Sequence, residues 1–174
     1  MTDTTETKLW SGDGFRTDDY IFADDLEQAG DAPAVILPLA VWLGLDEGRR
    51  RTSNRRIGVS VAPAEKIEPL LDRLDELPLI ALHFPAFNDG RSYSKAEILR
   101  RSGFRGELRA YGDVLIDQAA FMLRTGFDTL QVSNPVALAR LEQRRLVDTP
   151  AYYQPGHGSV KAEGGFAWRR VKAV

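Results

Sequence analysis

A strand-and-helix rhythm that repeats four times between residues 57 and 146 is the strongest constraint on the fold of this chain. Short β-branched or aliphatic runs alternate with segments of helical apolar spacing. The runs predict strands over 57–61, 79–84, 107–111 and 128–132. Short connections and right-handed crossovers between such units produce a parallel sheet. The sequence therefore predicts an α/β fold of repeated βα units, either TIM-barrel-like (complete or partial) or an open doubly wound sheet.

Capping residues and apolar spacing predict where the helices begin. Apolar residues at helical spacing indicate a helix over 63–74. Ser94 opens a capping-box pattern at the start of the next helix. Asp113 is placed to cap a helix over 114–124, because a carboxylate suits the positive end of a helix. Asn134 precedes a proline, which is a favourable first residue of the last helix.

The segments outside the repeat predict one α/β domain, over 31–147, with two flanking parts. A chain of 174 residues is ordinarily a single domain. Residues 1–30 begin as a polar segment, and two aromatic residues around a Gly/Asp turn indicate a short hairpin. The apolar run 35–37 is a candidate fifth strand. Residues 148–174 are rich in glycine and aromatic side chains, and we expect them to form an extended tail.

Composition excludes several classes of site. The chain has no cysteine, which excludes disulfides, thiolate metal ligands and cysteine nucleophiles. His83 and His157 lie far apart in the sequence, so we expect no metal site. The net charge of −2 favours neither a nucleic acid nor a membrane surface as a partner. Because no dinucleotide fingerprint or Walker loop is present, the cofactor, if one exists, is unknown.

The N-terminal residues 1–8 are polar and do not have the pattern of a signal peptide. The longest apolar stretch, 32–45, contains two prolines and is too short to span a bilayer. We therefore expect a cytoplasmic protein.

The candidate site follows from the rule that ligands bind at the carboxyl ends of parallel strands. The longest connection in the repeat, 84–93, follows the second predicted strand, and the turn 110–113 follows the third. Both belong to the same rim of the predicted sheet. The loop, the turn and the strands and helix beside them supply the candidate residues. The candidate acid–base groups are Asp89, Asp113 and His83, and the candidate ligand-binding groups are Arg91, Ser92, Tyr93, Arg109 and Gln118.

Each candidate also has a structural interpretation. The Asn-Asp-Gly sequence at 88–90 is ordinary turn chemistry. Arg109 lies in the middle of a strand that should be buried, so its charge requires a partner. Glu107 points to the same face and would form an ion pair with it, whereas the alternative directs Arg109 into a ligand cavity. His83 suits a general base near neutral pH or a core histidine.

The stretches 84–94 and 106–115, followed by Asp117-Gln118, closely resemble the bacterial family known as domain of unknown function 934. The resemblance covers roughly residues 35–150. Members are described as oxidoreductases involved in sulfite reduction, so the resemblance implies a role beside sulfite reductase or its electron donor. It carries over no catalytic residues. Many relatives have a cysteine where this chain has Thr125, so a thiol mechanism is not open to this member.

Three functions are compatible with these observations. The first is an accessory protein of assimilatory sulfate and sulfite reduction, with an anion-binding rim and docking surfaces on the rim and tail. The second is a free-standing enzyme acting on a small anionic, sulfur- or phosphate-containing substrate. The third is a non-catalytic interaction module in which the motif residues only hold the loops. Open sheet edges of a half-barrel would favour a homodimer.

Overall fold

The computed structural model describes residues 7–52 and 55–143, and its strands form one eight-stranded sheet. The strands are β1 (Lys8–Ser11), β2 (Gly14–Arg16), β3 (Ile21–Phe22), β4 (Ala34–Pro38), β5 (Arg56–Val61), β6 (Leu79–Phe84), β7 (Glu107–Gly112) and β8 (Thr129–Val132). The helices are α1 (Leu39–Gly44), α2 (Glu47–Thr52), α3 (Glu68–Leu71), α4 (Arg91–Arg101), α5 (Ile116–Thr125) and α6 (Pro135–Glu142), with a 3-10 turn at Leu74–Glu76.

The strand order decides between the two predicted architectures. Strands β3 to β8 are parallel and stand side by side in chain order, and the antiparallel hairpin β1–β2 pairs with the outer edge of β8. A doubly wound sheet reverses its strand order at a switch point. Because the order here is unbroken, the α/β fold is the partial-barrel alternative.

Contacts between distant strands show how strongly the sheet curves. Phe22 lies on β3 and Tyr111 on β7, four places along the sheet, and their ring centroids are 4.8 Å apart. Neighbouring strands alone are about 4.8 Å apart, so these rings could not meet across a flat sheet. The guanidinium carbon of Arg109 similarly lies 5.6 Å from the centroid of the Tyr20 ring. The sheet is therefore a half-barrel with a concave inner face.

The helices and the main hydrophobic core lie on the convex face. In β6, Ile80, Leu82 and Phe84 belong to this core, whereas Leu79 and Ala81 belong to a small cluster on the concave face. Alternate residues of a strand point to opposite faces, which explains the division. Both faces are buried, and this is why the strand is apolar almost without interruption.

Residues 18–22 cover part of the concave face. Tyr20 packs against the small cluster there, and the carboxylate of Asp19 lies 2.9 Å from the guanidinium of Arg56. The segment then continues as β3, which pairs with β4. The N-terminal part of the chain is thus attached to the sheet at both ends, through the β1–β2 hairpin and through β3.

Three predicted helix starts can be compared with the structure. Asn134 caps α6 as predicted, since its side-chain oxygen accepts the N–H groups of Val136 and Ala137, both at 3.0 Å. The predicted cap at Ser94 is wrong: α4 begins at Arg91, so Ser94 lies inside the helix. Asp89 contributes to this earlier start, because its carboxylate accepts the Arg91 N–H at 3.3 Å.

The predicted cap at Asp113 is also wrong. Helix α5 begins at Ile116, and the Gln118 side chain accepts the N–H of Leu115, the residue before the helix, at 3.5 Å. The continuous helix predicted over 63–74 is replaced by α3 and a 3-10 turn. Pro69 accounts for this difference, because a proline is tolerated only in the first turn of a helix.

The remaining predictions concern the two ends of the chain. The hairpin expected within residues 1–30 is present as β1–β2. The predicted end of the last helix near 146 and the tail 148–174 lie outside the described residues, so the proposed division into parts stays a prediction. None of the helices in the described part of the chain has the length and apolarity needed to cross a bilayer.

Gly112 provides a test of the close approach between β6 and β7. Its φ is 101°, and a Cβ added there would lie 2.3 Å from the carbonyl oxygen of Phe84. We expect Gly112→Ala to lower the free energy of unfolding by about 3 kcal/mol or more, from the positive φ and the backbone clash together. Denaturation in urea measures this loss.

Gly103→Ala is the matched control. Gly103 has a φ of 94°, but nothing lies within 4 Å of an added Cβ. Its substitution should cost only the conformational penalty, about 1–2 kcal/mol. Equal losses in the two variants would contradict the importance of the contact with Phe84.

Candidate functional site

The loop 85–90 and the turn 110–113 meet at the carboxyl rim of the sheet, as the sequence predicts. The Asp113 N–H donates to the Phe84 carbonyl at 2.7 Å. The Asp113 carboxylate accepts the N–H of Phe87 at 2.9 Å, and the Gln118 amide donates to the Phe87 carbonyl at 2.5 Å. Two of the candidate polar side chains therefore fix the backbone of Phe87 from both sides.

The side chain of Phe87 itself points to solvent and is 57% exposed. Phe121, one turn beyond Gln118 on the same helix, is 42% exposed. The ring of Tyr93 packs between Phe121 and Phe84, with centroids at 4.7 and 5.0 Å. We call Phe87, Phe121 and Tyr93 the rim aromatic patch. Because burial raises the pKa of Tyr93 to about 12, with a further contribution from Asp117, its phenol stays neutral near neutral pH.

Asp89 and Arg91 form a two-pronged ion pair on the loop. The Arg91 Nε and Nη2 lie 2.9 and 2.6 Å from the two carboxylate oxygens of Asp89. This hydrogen bonding lowers the pKa of Asp89 to about 2, and the backbone N–H and the charge of Arg91 act in the same direction. A carboxyl group with such a pKa is unprotonated and weakly basic near pH 7, which makes it poorly suited to acid–base catalysis. Arg91 is 61% exposed and presents its outer side to solvent.

His83 lies beside an aromatic cluster that the sequence analysis did not identify. Its ring is half-buried and stacks on Tyr111, with centroids 4.8 Å apart and an angle of 26°. The buried Ser92 hydroxyl donates to the His83 carbonyl at 2.6 Å and so fixes the strand end. Phe22 also contacts Tyr111. We call His83, Tyr111 and Phe22, together with Ser60 on β5, the mouth of the concave face.

Tyr111 is the titratable group of this mouth that the sequence analysis missed. Burial raises the pKa of its phenol, and a hydrogen bond with the Ser60 hydroxyl partly offsets this effect. Ser60 lies on β5, two strands away from Tyr111, and Phe22 lies on β3. Alternation along β7 was the only available signal, because it places Tyr111 on the same face as Arg109.

Arg109 lies within the concave face, apart from the loop, and is 1% exposed. Its Nη2 lies 2.9 Å from a carboxylate oxygen of Glu107, and its Nη1 lies 2.7 Å from one of Asp18. The same Glu107 oxygen accepts the Thr129 hydroxyl at 2.6 Å. The ion pair with Glu107 is the predicted structural alternative, and Asp18 is a partner that the sequence analysis missed. Arg109 and Arg91 are thus held by different carboxylates rather than by one common site.

The part of the chain that the structure describes contains no cluster of side chains suited to hold a metal ion. Nowhere among those residues do three histidine, aspartate or glutamate side chains come together as ligands would.

The candidate site is composed of two areas: the loop with its rim aromatic patch, and the mouth of the concave face.

Arg109→Ala tests whether the network in the concave face is mainly structural. Removing the guanidinium leaves Glu107 and Asp18, each about a quarter exposed, without their partner. We expect the free energy of unfolding to fall by about 2–4 kcal/mol, measured by chemical denaturation. Arg56→Ala is the control, because the exposed Arg56–Asp19 pair should contribute less than about 1 kcal/mol. An Arg109→Ala protein as stable as the control would contradict the structural role.

The Asp89–Arg91 pair predicts a specific pH dependence. A carboxyl group whose pKa is lower in the folded state stabilises that state above its unfolded pKa, and the contribution is lost as pH falls to the folded pKa. For Asp89 this window runs from the ordinary value of 3.8 down to about 2. Carboxyl carbon NMR should therefore show Asp89 titrating near pH 2.

Arg91→Gln should move the pKa of Asp89 up towards 3.8, because the hydrogen bond from Arg91 is the largest cause of the shift. Arg101→Gln is the control, since Arg101 pairs with Glu97 instead. An Asp89 carboxyl that titrates near 3.8 in the unaltered protein would show that the pair does not form in solution.

The comparison with known families bears on the whole site. A family model described as "Bacterial protein of unknown function (DUF934)" matches residues 58–163, which is more than half of the chain. The match includes the loop, the turn 110–113 and every residue of the mouth except Phe22. No curated protein matches the chain. The chain therefore belongs to the bacterial DUF934 family, as the resemblance of its loop and turn motifs predicted.

Proposed function

We propose that this protein is an accessory protein of assimilatory sulfite reduction, which docks on sulfite reductase or its electron donor through the loop 85–90. The observation that supports the docking role is that Phe87 has a fixed backbone and an exposed ring. Both polar groups of its backbone are bonded by side chains, while its aromatic ring is left 57% exposed. The pathway comes from the family resemblance, and the proposal places the protein in the cytoplasm with it.

A fixed and exposed aromatic ring is suited to recognition. Aromatic residues are enriched among the side chains that contribute most to protein–protein binding. A loop that is already held in place loses less conformational entropy when a partner binds. Phe121, which is also exposed and packs on Tyr93, adds a second apolar ring that a partner could cover. The Arg91–Asp89 pair beside it adds polar groups at the edge of this apolar area.

The uses of the polar side chains support docking over free-standing catalysis. Asp113 and Gln118 bond the backbone of Phe87, and Asp89 is paired with Arg91. Of the proposed acid–base groups, Asp89 and Asp113 thus hold the loop through an ion pair and a hydrogen bond. His83 is the one whose side chain has no such contact with the loop among the described residues. The enzyme alternative therefore depends on His83 and the mouth, while a non-catalytic interaction module would use the same rim with a partner outside sulfite reduction.

Affinity capture of the tagged, full-length protein tests the proposal. The bacterial host is grown with sulfate as its sole sulfur source, and the captured proteins are identified by mass spectrometry. We expect sulfite reductase or its electron donor to be recovered with the unaltered protein. Phe87→Ser should weaken the complex by about 2 kcal/mol, or roughly thirtyfold in Kd, if Phe87 is a central contact.

Val136→Ser is the matched control, because Val136 is an equally exposed apolar residue (62%) on α6. It should bind like the unaltered protein. Recovery of the bait alone would contradict the accessory role, and equal binding by the Phe87→Ser variant would move the docking surface away from the loop.

A further inference from the structure

A cleft of about 340 Å³ opens between the segment 63–68 and helix α4. The segment follows β5 and the helix follows the loop after β6, so the cleft lies at the carboxyl rim. Helix α4 contributes Arg91, Ser94, Lys95 and Ile98 to its wall. Of these, only Arg91 belongs to the candidate residues predicted from the sequence.

Lys95 supplies a positive charge that no direct carboxylate contact cancels. Its ammonium group donates to the backbone carbonyl of Glu65, which is a neutral acceptor. The Glu65 carboxylate is turned to the backbone instead and accepts the N–H of Ala62 at 2.6 Å. Among the described residues, no carboxylate lies within ion-pair distance of the Lys95 ammonium. Burial lowers the pKa of Lys95, although Glu68 and Glu65 nearby partly oppose that effect.

The rest of the cleft wall combines charged and apolar residues, namely Glu65, Lys66 and Glu68 together with Pro63, Ala64 and Ile67. Pro63 and Ile67 are buried beneath it. Ile98 stands at its side and is 44% exposed, so part of its side chain is open to a ligand. A positive charge beside an apolar wall is complementary to a molecule that has an anionic group attached to an apolar body.

The size of the cleft indicates which kind of anion it fits. Small-molecule sites generally range from about 300 to 1,000 Å³, and the cleft falls at the lower end of this range. An inorganic oxyanion, with one central atom and a few oxygens, would fill only a fraction of that space and would leave the exposed side chain of Ile98 uncovered.

We propose that this cleft binds a small organic oxyanion, such as a phosphate ester, a sulfonate or a carboxylate with an apolar body. Lys95 contacts the anionic head, Arg91 with its partner Asp89 borders the entrance, and Ile98 contacts the body. The site goes beyond the proposed docking role and does not depend on it, because Phe87 takes no part in the cleft.

Calorimetric titration at constant ionic strength tests the site, with three probes that separate its components. Phenyl phosphate carries both the head and the body, inorganic phosphate carries only the head, and benzyl alcohol carries only the body. We expect saturable binding of phenyl phosphate, and binding at least about tenfold weaker for each of the other two. Inorganic phosphate binding as tightly as phenyl phosphate would overturn the proposal, as would no binding of phenyl phosphate.

Two variants assign the contacts. Lys95→Met keeps an unbranched side chain, one atom shorter, and removes its charge, so it should weaken phenyl phosphate binding about tenfold or more. Ile98→Ser should weaken it about threefold to tenfold through the lost apolar contact. Arg101→Met, on the same helix but outside the cleft, is the control and should bind normally. Unchanged binding by the Lys95→Met variant would overturn the assignment of the head group.

NMR on the unaltered protein keeps the test independent of the stability of any variant. Phenyl phosphate should shift the amide signals of residues 64–68 and 94–98. Shifts confined to other regions would place the ligand elsewhere and overturn the proposal. Because Phe87→Ser should bind phenyl phosphate normally, failure of the cleft and failure of the docking surface are separate results.

Discussion

One buried guanidinium group joins the distant parts of this curved sheet. Arg109 stands in the middle of β7, and its carboxylate partners come from its own strand and from Asp18, ahead of β3 on the far edge. A charge at this depth is tolerated only when it is paired and hydrogen-bonded. The concave face can therefore be buried only if residues 18–22 return across it. The same segment places Phe22 against Tyr111. The mouth therefore depends on the Arg109–Asp18 ion pair that holds this segment.

The sequence predicted those parts of the fold that depend on neighbours along the chain. The four strands of the repeat, their parallel arrangement and the Asn134 cap all follow from local patterns, and all are present. The errors arose where a local pattern competes with a distant partner. Asp113 has the chemistry of a cap, but its carboxylate bonds the N–H of Phe87, 26 residues earlier. Pro69 also argued locally against a continuous helix over 63–74, but the apolar spacing of that segment favoured the helix and the prediction followed it.

In the candidate site, too, the features set by local sequence were predictable and those set by distant partners were not. Position at the carboxyl rim was predictable from strand order alone, because every parallel strand ends there. The roles of the side chains were not predictable, because they depend on what each group meets across the fold. Gln118 reaches the Phe87 carbonyl, 31 residues away, and Lys95 reaches Glu65, 30 residues away. Curvature is equally hidden from the sequence, yet it decides that Phe22, Ser60 and Tyr111 belong to one mouth.

The antiparallel hairpin has a consequence for how this fold can grow. In a full barrel, each new βα unit adds its strand beside the preceding one. Here β1 already occupies the free edge of β8, so that edge is closed to any further parallel strand. The remaining edges are β2 and β3, with three and two residues, which offer little backbone for pairing. Within the described residues, a duplicated copy of the repeat could therefore not extend the sheet beyond β8 and would have to fold as a separate body.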